Sequence, residues 1–209
     1  GGQFDNVICS RCDAVVALPT GSGAAFTAFI REFDAALKNE YAVTDPDVTL
    51  TCAAAETAKA VSAERTVTLV QALTAMPQGV EAMDTDFPGL VQTSLNMGVV
   101  KLGGDGLHIA FSIRSSIASR KLMLAQRVRA VAALAGGTVA ERGVYPGWQY
   151  KRESQFRDTL LAAYKDLTGK DGVVEATHGG LECGLLMEKI PGLDAVSMGP
   201  ELHDVHSVR

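Results

Sequence analysis

The side chains best able to do chemistry are concentrated near the C-terminal end of the chain. Imidazole and carboxylate groups are common ligands of zinc, and three or four of them can form a hydrolytic metal site. Their spacing here matches no self-sufficient metal motif such as H-E-x-x-H. The pattern therefore leaves two interpretations open, a metal site or histidines that are simply exposed to solvent. The residues are His178, Glu182, His203, Asp204 and His206.

Three further features could bind a negatively charged or polar group. Arg114 ends an apolar strand pattern, where it is either an ordinary surface arginine or a clamp that holds a carboxylate with parallel hydrogen bonds. The loop His178-Gly179-Gly180 follows another apolar run and could bind an anion through its backbone N–H groups. Asn96 lies inside a strand pattern, where asparagine is disfavoured, so it needs either a hydrogen-bond partner or a function.

The cysteines do not indicate a site of their own. Cys9 and Cys12 have the C-x-x-C spacing of zinc knuckles and redox pairs, but no second pair follows at the spacing of a zinc finger. A redox pair also favours the N-terminus of a helix, whereas residues 14–18 have a strand pattern. We interpret both as ordinary small apolar residues. With Cys52 and Cys183 they are too sparse for a disulfide scaffold, which favours a reducing cytoplasmic location.

Composition excludes several classes of protein. The chain has 209 residues, a formal net charge of −5, 47% hydrophobic and 21% charged residues, which is typical of a soluble globular protein. The acidic balance argues against a nucleic-acid partner. No apolar run approaches the ~20 residues of a membrane span, and the N-terminus has no pattern of a secretory signal. We therefore expect neither nucleic-acid nor membrane binding.

Hydrophobic periodicity predicts the elements that must position these side chains. Apolar residues at helical spacing predict helices over 26–37, 67–76, 124–135 and 156–167, and the loop pattern of 178–184 is expected to open a short helix. Two alternating runs around a Gly-Asp-Gly turn predict a hairpin, 94–102 with 107–114. Residues 79–88 have a loop pattern. Further strands are predicted over 14–18, 48–52, 138–141, 173–177 and 193–198.

This order of elements predicts an α+β fold. Residues 1–148 fit a ferredoxin-like sandwich, an antiparallel sheet with helices on one face. Residues 149–209 alternate strand and helix patterns, yet a piece of this size is too small for a doubly wound domain. We expect it to be part of a larger α/β domain.

Several motifs, collinear over the whole chain, resemble the aminoacyl-histidine dipeptidases. These are the cytosolic Xaa-His or non-specific dipeptidases of the M20 metallopeptidase family. The resemblance includes the start of the chain, where Gly1-Gly2 precedes Asn6-Val7-Ile8. Its main motifs are TSLNMGVV at 93–100, IRS at 113–115, GVYPGWQ at 143–149, THGGLECGLL at 177–186, PGLDAVSMGP at 191–200, and HS at 206–207.

The resemblance implies a two-zinc dipeptidase with an inserted lid domain that also mediates dimerisation. Residues 1–148 would be the lid and residues 149–209 a returning part of the catalytic domain. The partners implied are a dipeptide substrate and a second copy of the chain, paired through the lid sheet. Zinc would be the cofactor of the intact enzyme.

The same resemblance implies roles for individual residues. His206 would be the last zinc ligand. Arg114 and Asn96 would be lid residues that hold the substrate carboxylate or the tetrahedral oxyanion, across the dimer in one interpretation. The substrate pocket would be lined by Gly179, Gly180 and Glu182.

Departures from the family pattern imply that this chain lacks a complete active site. The other zinc ligands, the general-base glutamate and a lid histidine would lie upstream of Gly1, and a strand and helix would follow Arg209. His-Ser-Pro becomes His206-Ser207-Val208. We therefore expect no catalytic residue in this segment, no catalytic zinc and no hydrolysis by the chain alone. The alternatives are a non-catalytic dimerisation module and a stand-alone ferredoxin-like domain that binds a small regulatory ligand.

Overall fold

The computed structural model describes residues 1–56, 59–178 and 180–199. Within them the chain forms five helices and three strands. In chain order these are α1 (Gly23–Glu40), α2 (Ala63–Ala75), β1 (Gly79–Met83), β2 (Val91–Gly103), β3 (Gly106–Ser115), α3 (Ala118–Leu134), α4 (Gln155–Thr168) and α5 (Glu182–Lys189).

The strands form an antiparallel sheet in the order β1-β2-β3. β2 and β3 are the two arms of a hairpin, in which Ser94 pairs with Arg114 and Asn96 pairs with Ser112. The register of this pairing shifts at Gly98, between Met97 and Val99. The hairpin thus sets polar residues of the two strands opposite one another.

One face of the sheet packs against α3. Successive side chains of a strand point to opposite faces, so Leu95 and its cross-strand partner Ile113 share the inner face. Leu95 and Leu124 are 2% and 0% exposed. Near the end of the hairpin Thr93 and Ser115 are buried and hydrogen-bond to each other at 2.8 Å. The core consists of Leu95, Leu124 and Val128, with Met76, Phe111 and Ile113 packed against it.

The sequence predictions agree with this fold in class, helices and hairpin. The α+β class is confirmed, since three antiparallel strands and five helices are found in the described residues. α4 begins at the predicted place because Ser154 caps it, its Oγ accepting a hydrogen bond from the Arg157 N–H. It ends where Gly169 takes the left-handed conformation, with φ of 70°.

The strand predictions outside the hairpin are wrong. Residues 79–83, in the predicted loop 79–88, form β1 because they pair with residues 91–95 of β2. A strand exists only where a partner completes its backbone hydrogen bonds, and local sequence does not reveal that partner. No strand is found over 14–18, 48–52, 138–141, 173–177 or 193–198 among the described residues.

The described chain divides into two compact units. One contains Gly1–Arg11 together with Thr68–Arg209, and so includes the sheet and the segment around α4 and α5. The other is Cys12–Val67. The predicted domain boundary at residue 148 stays a prediction.

The smaller unit is built on α1. Three phenylalanines line one side of this helix, and the rings of Phe29 and Phe33 stack with centroids 5.9 Å apart. The carboxylate of Asp34 accepts hydrogen bonds from the Leu50 N–H and the Lys38 ammonium, both at 2.7 Å. None of the described residues of this unit is buried.

No helix in the described part of the chain is long and apolar enough to cross a membrane.

Candidate functional site

An open cavity lies on the sheet face opposite the core. The alternation of β2 and β3 brings Ser94 and Asn96 of one strand beside Ser112 and Arg114 of the other. The N-terminal segment and His178 complete the wall. The lining residues are Asn6, Ile8, Ser94, Asn96, Ser112, Arg114 and His178.

Arg114 supplies the positive charge of this cavity. Its side chain is exposed, and no hydrogen bond or salt bridge joins it to another of the described residues. A guanidinium with free donors in a concave site is suited to a carboxylate, which it can hold bidentately.

Asn96 is held by the N-terminal segment. Its Nδ2 donates to the backbone carbonyls of Asp5 and Val7, at 2.7 and 2.9 Å. The segment lies so close to β2 that a Cβ on Gly98 would collide with the carbonyls of Phe4 and Asp5. Both amide hydrogens of Asn96 therefore bind backbone carbonyls of the N-terminal segment.

His178 reaches the cavity from a distant part of the chain. Its Nε2 lies 2.8 Å from the hydroxyl oxygen of Ser94. Its Nδ1 is buried without a hydrogen-bond partner of good geometry in the described residues. Burial lowers the pKa of His178 and the charge of Arg114 lowers it further, while the nearby backbone of Val91 raises it by less. The ring is therefore neutral at pH 7.

Two other predicted residues lie at the N-terminal end of α5. Glu182 is its first residue and Gly180 precedes it by two positions. A Cβ on Gly180 would collide with the ring of Tyr145, so the close approach requires glycine. Glu182 is exposed in the first turn of α5, where a carboxylate is favoured by the helix dipole. Burial, and then the charges of Glu182 and Cys183, raise the pKa of Tyr145. Neither predicted residue is among those that line the cavity of Arg114.

The remaining predicted residues lie outside the described part of the chain. They are Gly179 of the loop, the predicted zinc ligand His206, and His203. Among the residues that the structure does describe, no group of three or more His, Cys, Asp or Glu side chains could hold a metal ion. The described residues alone therefore do not fit a zinc centre.

The chain is similar to known proteins in both sequence and structure. The chain is 31% identical over 208 residues to the cytosol non-specific dipeptidase of Escherichia coli K12, a match that covers 99% of this chain and 43% of the relative. The structure matches the crystal structure of an aminoacylhistidine dipeptidase from Vibrio alginolyticus with a TM-score of 0.74 and 30% identity. That match covers 82% of this chain and 35% of the other. No protein-family model matches the chain.

The chain is homologous to a segment of the aminoacyl-histidine dipeptidases. The resemblance inferred from its motifs is thereby confirmed. This dipeptidase homologue spans less than half the length of the relatives it matches.

In this dipeptidase homologue, sequence reasoning gave no role to four residues of the cavity wall, Asn6, Ile8, Ser94 and Ser112. Ser94 and Ser112 could have been found, because they alternate with core residues in the predicted hairpin and share a face with Asn96 and Arg114. His178 was singled out as a candidate metal ligand or loop residue, but nothing in the sequence indicates its contact with Ser94, 84 positions away. Asn6 and Ile8 were marked only by the resemblance at the start of the chain.

Proposed function

We propose that the chain is the part of a zinc-dependent M20 dipeptidase that binds the substrate carboxylate. The substrates are Xaa-His and other dipeptides, and the parent protein is cytoplasmic. The observation that carries this proposal is Arg114, an exposed guanidinium at the edge of a polar cavity, in a chain that matches a dipeptidase along 99% of its length. Only the family relation rests on the comparisons; the substrate and the role of Arg114 are inferred.

The chemistry of the cavity supports a carboxylate ligand. Arg114 offers two parallel N–H donors, and the hydroxyls of Ser94 and Ser112 lie on the same face of the hairpin. A dipeptide also presents a peptide carbonyl, which would compete with Asp5 and Val7 for the amide of Asn96. In this proposal Arg114 binds the carboxylate of the ligand, and Asn96 binds its peptide carbonyl.

We further propose that hydrolysis requires more than this chain. Zinc, when bound in the intact enzyme, would activate the attacking water. The proposed ligand His206 is a single residue, and one ligand cannot hold a hydrolytic metal. The chain alone would therefore bind dipeptides without cleaving them.

The carboxylate role is tested by calorimetric titration of the full chain with glycyl-L-histidine. We expect Arg114→Gln to weaken binding by about 10- to 100-fold, since a hydrogen-bonded charge contributes roughly 1.5–3 kcal/mol. Arg120→Gln, on the exposed first turn of α3, removes the same charge outside the cavity and should leave binding unchanged. Equal binding by both variants and the unmodified chain would exclude the role of Arg114.

The dimerisation module is the second candidate function. β1 and β3 are the edge strands of the sheet, and an edge strand can pair with that of a second copy. We propose that two copies of the chain associate through this sheet. Sedimentation velocity should then show a dimer, and a chain that remains monomeric at high concentration would contradict it.

A further inference from the structure

His178 connects the region before α5 to the central hairpin. Its imidazole is partly buried, with Nε2 2.8 Å from the Ser94 hydroxyl, and 84 positions separate the two residues. Ser94 is also the cross-strand partner of Arg114. Ser94 is therefore hydrogen-bonded to the imidazole of His178 and lies opposite Arg114 in the hairpin.

The residues after His178 pack closely against the segment 145–148, and two glycines allow this approach. Gly180 lies against the ring of Tyr145, and Gly184 lies against the backbone of Gly147 and the Cβ of Trp148. The carbonyl of Tyr145 is in turn bound by the ammonium of Lys121 on α3. These contacts connect the residues after His178 to the segment 145–148 and, through Lys121, to α3.

The charge of the cavity wall is set by Arg114 and His178 together. Arg114 on β3 is the charged group that acts on the His178 ring among the described residues, and Ser94 and the Val91 backbone are its other polar neighbours. A neutral imidazole leaves a single positive charge in the cavity. A wall of this kind suits a monocarboxylate, such as the terminal carboxylate of a dipeptide.

We propose that His178 is a positioning residue for the carboxylate at Arg114, and that it acts through its hydrogen bond to Ser94. The bond fixes the direction of the Ser94 hydroxyl and closes the wall of the cavity beside the guanidinium. This inference rests on the proposed function, because it assigns to that site a residue that orders it.

The test is the binding of N-acetylglycine, a monocarboxylate, to the full chain at pH 7.5, followed by NMR. Ser94→Ala and His178→Ala should each weaken binding by roughly three- to tenfold, the value of one neutral hydrogen bond. The double variant should be no weaker than either single variant, because both remove the same bond. His178→Gln, whose amide can reach Ser94, should restore most of the affinity.

The matched control is His108→Ala. His108 is exposed near the hairpin turn, where it pairs with Asp105 at 2.9 Å, and it does not line the cavity. This variant should bind N-acetylglycine as the unmodified chain does. Trp148 fluorescence shows whether each variant keeps the fold near Gly184.

The outcomes separate this inference from the proposed function. If the unmodified chain binds N-acetylglycine and His178→Ala binds equally well, the positioning role is wrong and the carboxylate site stands. If the single variants weaken binding additively, or His178→Gln restores nothing, the shared hydrogen bond is not the cause and the inference is also wrong. If the unmodified chain does not bind N-acetylglycine, both fail.

Discussion

At the residue scale, the cavity combines a permanent cation with a histidine that its surroundings hold neutral. Burial lowers the pKa of His178, and the neighbouring guanidinium of Arg114 lowers it further. The folded state therefore resists protonation of this ring, whereas the unfolded chain takes up a proton at about the ordinary pKa of 6.5.

This difference makes the free energy of unfolding depend on pH. Because the unfolded state binds more protons below about pH 6.5, the contribution of His178 is fully present above that value and is lost as pH falls towards the folded pKa. Urea denaturation at pH 7.5 and 5.5 should show lower stability at pH 5.5. His178→Gln should reduce that difference. A difference that stays the same in His178→Gln would contradict the assignment.

The sequence singles out those residues of the cavity whose signal is local. Asn96 and Arg114 stood out because asparagine is unusual within a strand and because arginine ended an apolar run. Their meeting in one cavity followed from the hairpin register. The contact of His178 with Ser94 could not be predicted, because it depends on how a region 84 residues later folds back on the sheet.

At the element scale, glycines allow α5 to approach the segment 145–148. Gly184 is buried in α5, and a Cβ there would lie 3.3 Å from both the Gly147 carbonyl oxygen and the Trp148 Cβ. Such contacts are tighter than normal packing, so the neighbouring backbone would have to move. The Pro-Gly-Trp sequence, which the pattern marks only as a break, is thus a packing surface for this helix.

Gly184→Ala should lower the free energy of unfolding by about 1 kcal/mol, because overpacking costs about 1–3 kcal/mol while alanine gains about 1 kcal/mol in helix propensity. Urea denaturation followed by the fluorescence of Trp148, the single tryptophan, measures this directly. Gly104→Ala is the control, because a Cβ on Gly104 meets open space. Equal stability of the two variants would show that α5 does not pack as described.

Ser154 joins α4 to the segment that follows α5. Its Oγ accepts from the Arg157 N–H at 3.1 Å and donates to the Asp194 carboxylate at 2.8 Å, and the residue is 4% exposed. The hydrogen bond from Ser154 is the main cause that lowers the pKa of Asp194, with the charge of Lys151 adding to it. One side chain thus caps a helix and fixes a distant segment.

Ser154→Ala should therefore lower the free energy of unfolding by about 1–2 kcal/mol, since it removes a helix cap and leaves Asp194 without its hydroxyl donor. Chemical denaturation of Ser154→Ala measures the loss. Ser119→Ala, at an exposed position of α3, serves as the control. If the two variants are equally stable, the cap does not contribute as inferred.

Helices were predicted better than strands, because a helix forms its hydrogen bonds within its own segment and a strand needs a partner strand. The helices are visible from periodicity, and α4 also from its cap and its terminal glycine. β1 was missed because Gly79 and Pro88 give its region a turn composition, although residues 79–83 pair with β2. The strands predicted over 14–18 and 193–198 have strand-forming side chains, but among the described residues they have no strand partner.

At the scale of the whole molecule, the chain is an α+β segment homologous to part of a dipeptidase. It spans 43% of the length of the Escherichia coli relative, and its described residues contain no group of three metal-binding side chains. They do contain a cavity in whose wall the guanidinium of Arg114 lies on the β2–β3 hairpin. The proposed carboxylate site rests on these features.

The most direct test follows one NMR sample of the labelled full chain with zinc and glycyl-L-histidine for a day. We expect the side-chain N–H signal of Arg114 to shift in a saturable way while the dipeptide signals persist. Signals of free glycine and histidine, produced at a rate that a parallel sample without protein does not show, would contradict binding without cleavage. Absence of any shift at Arg114 would contradict the carboxylate site.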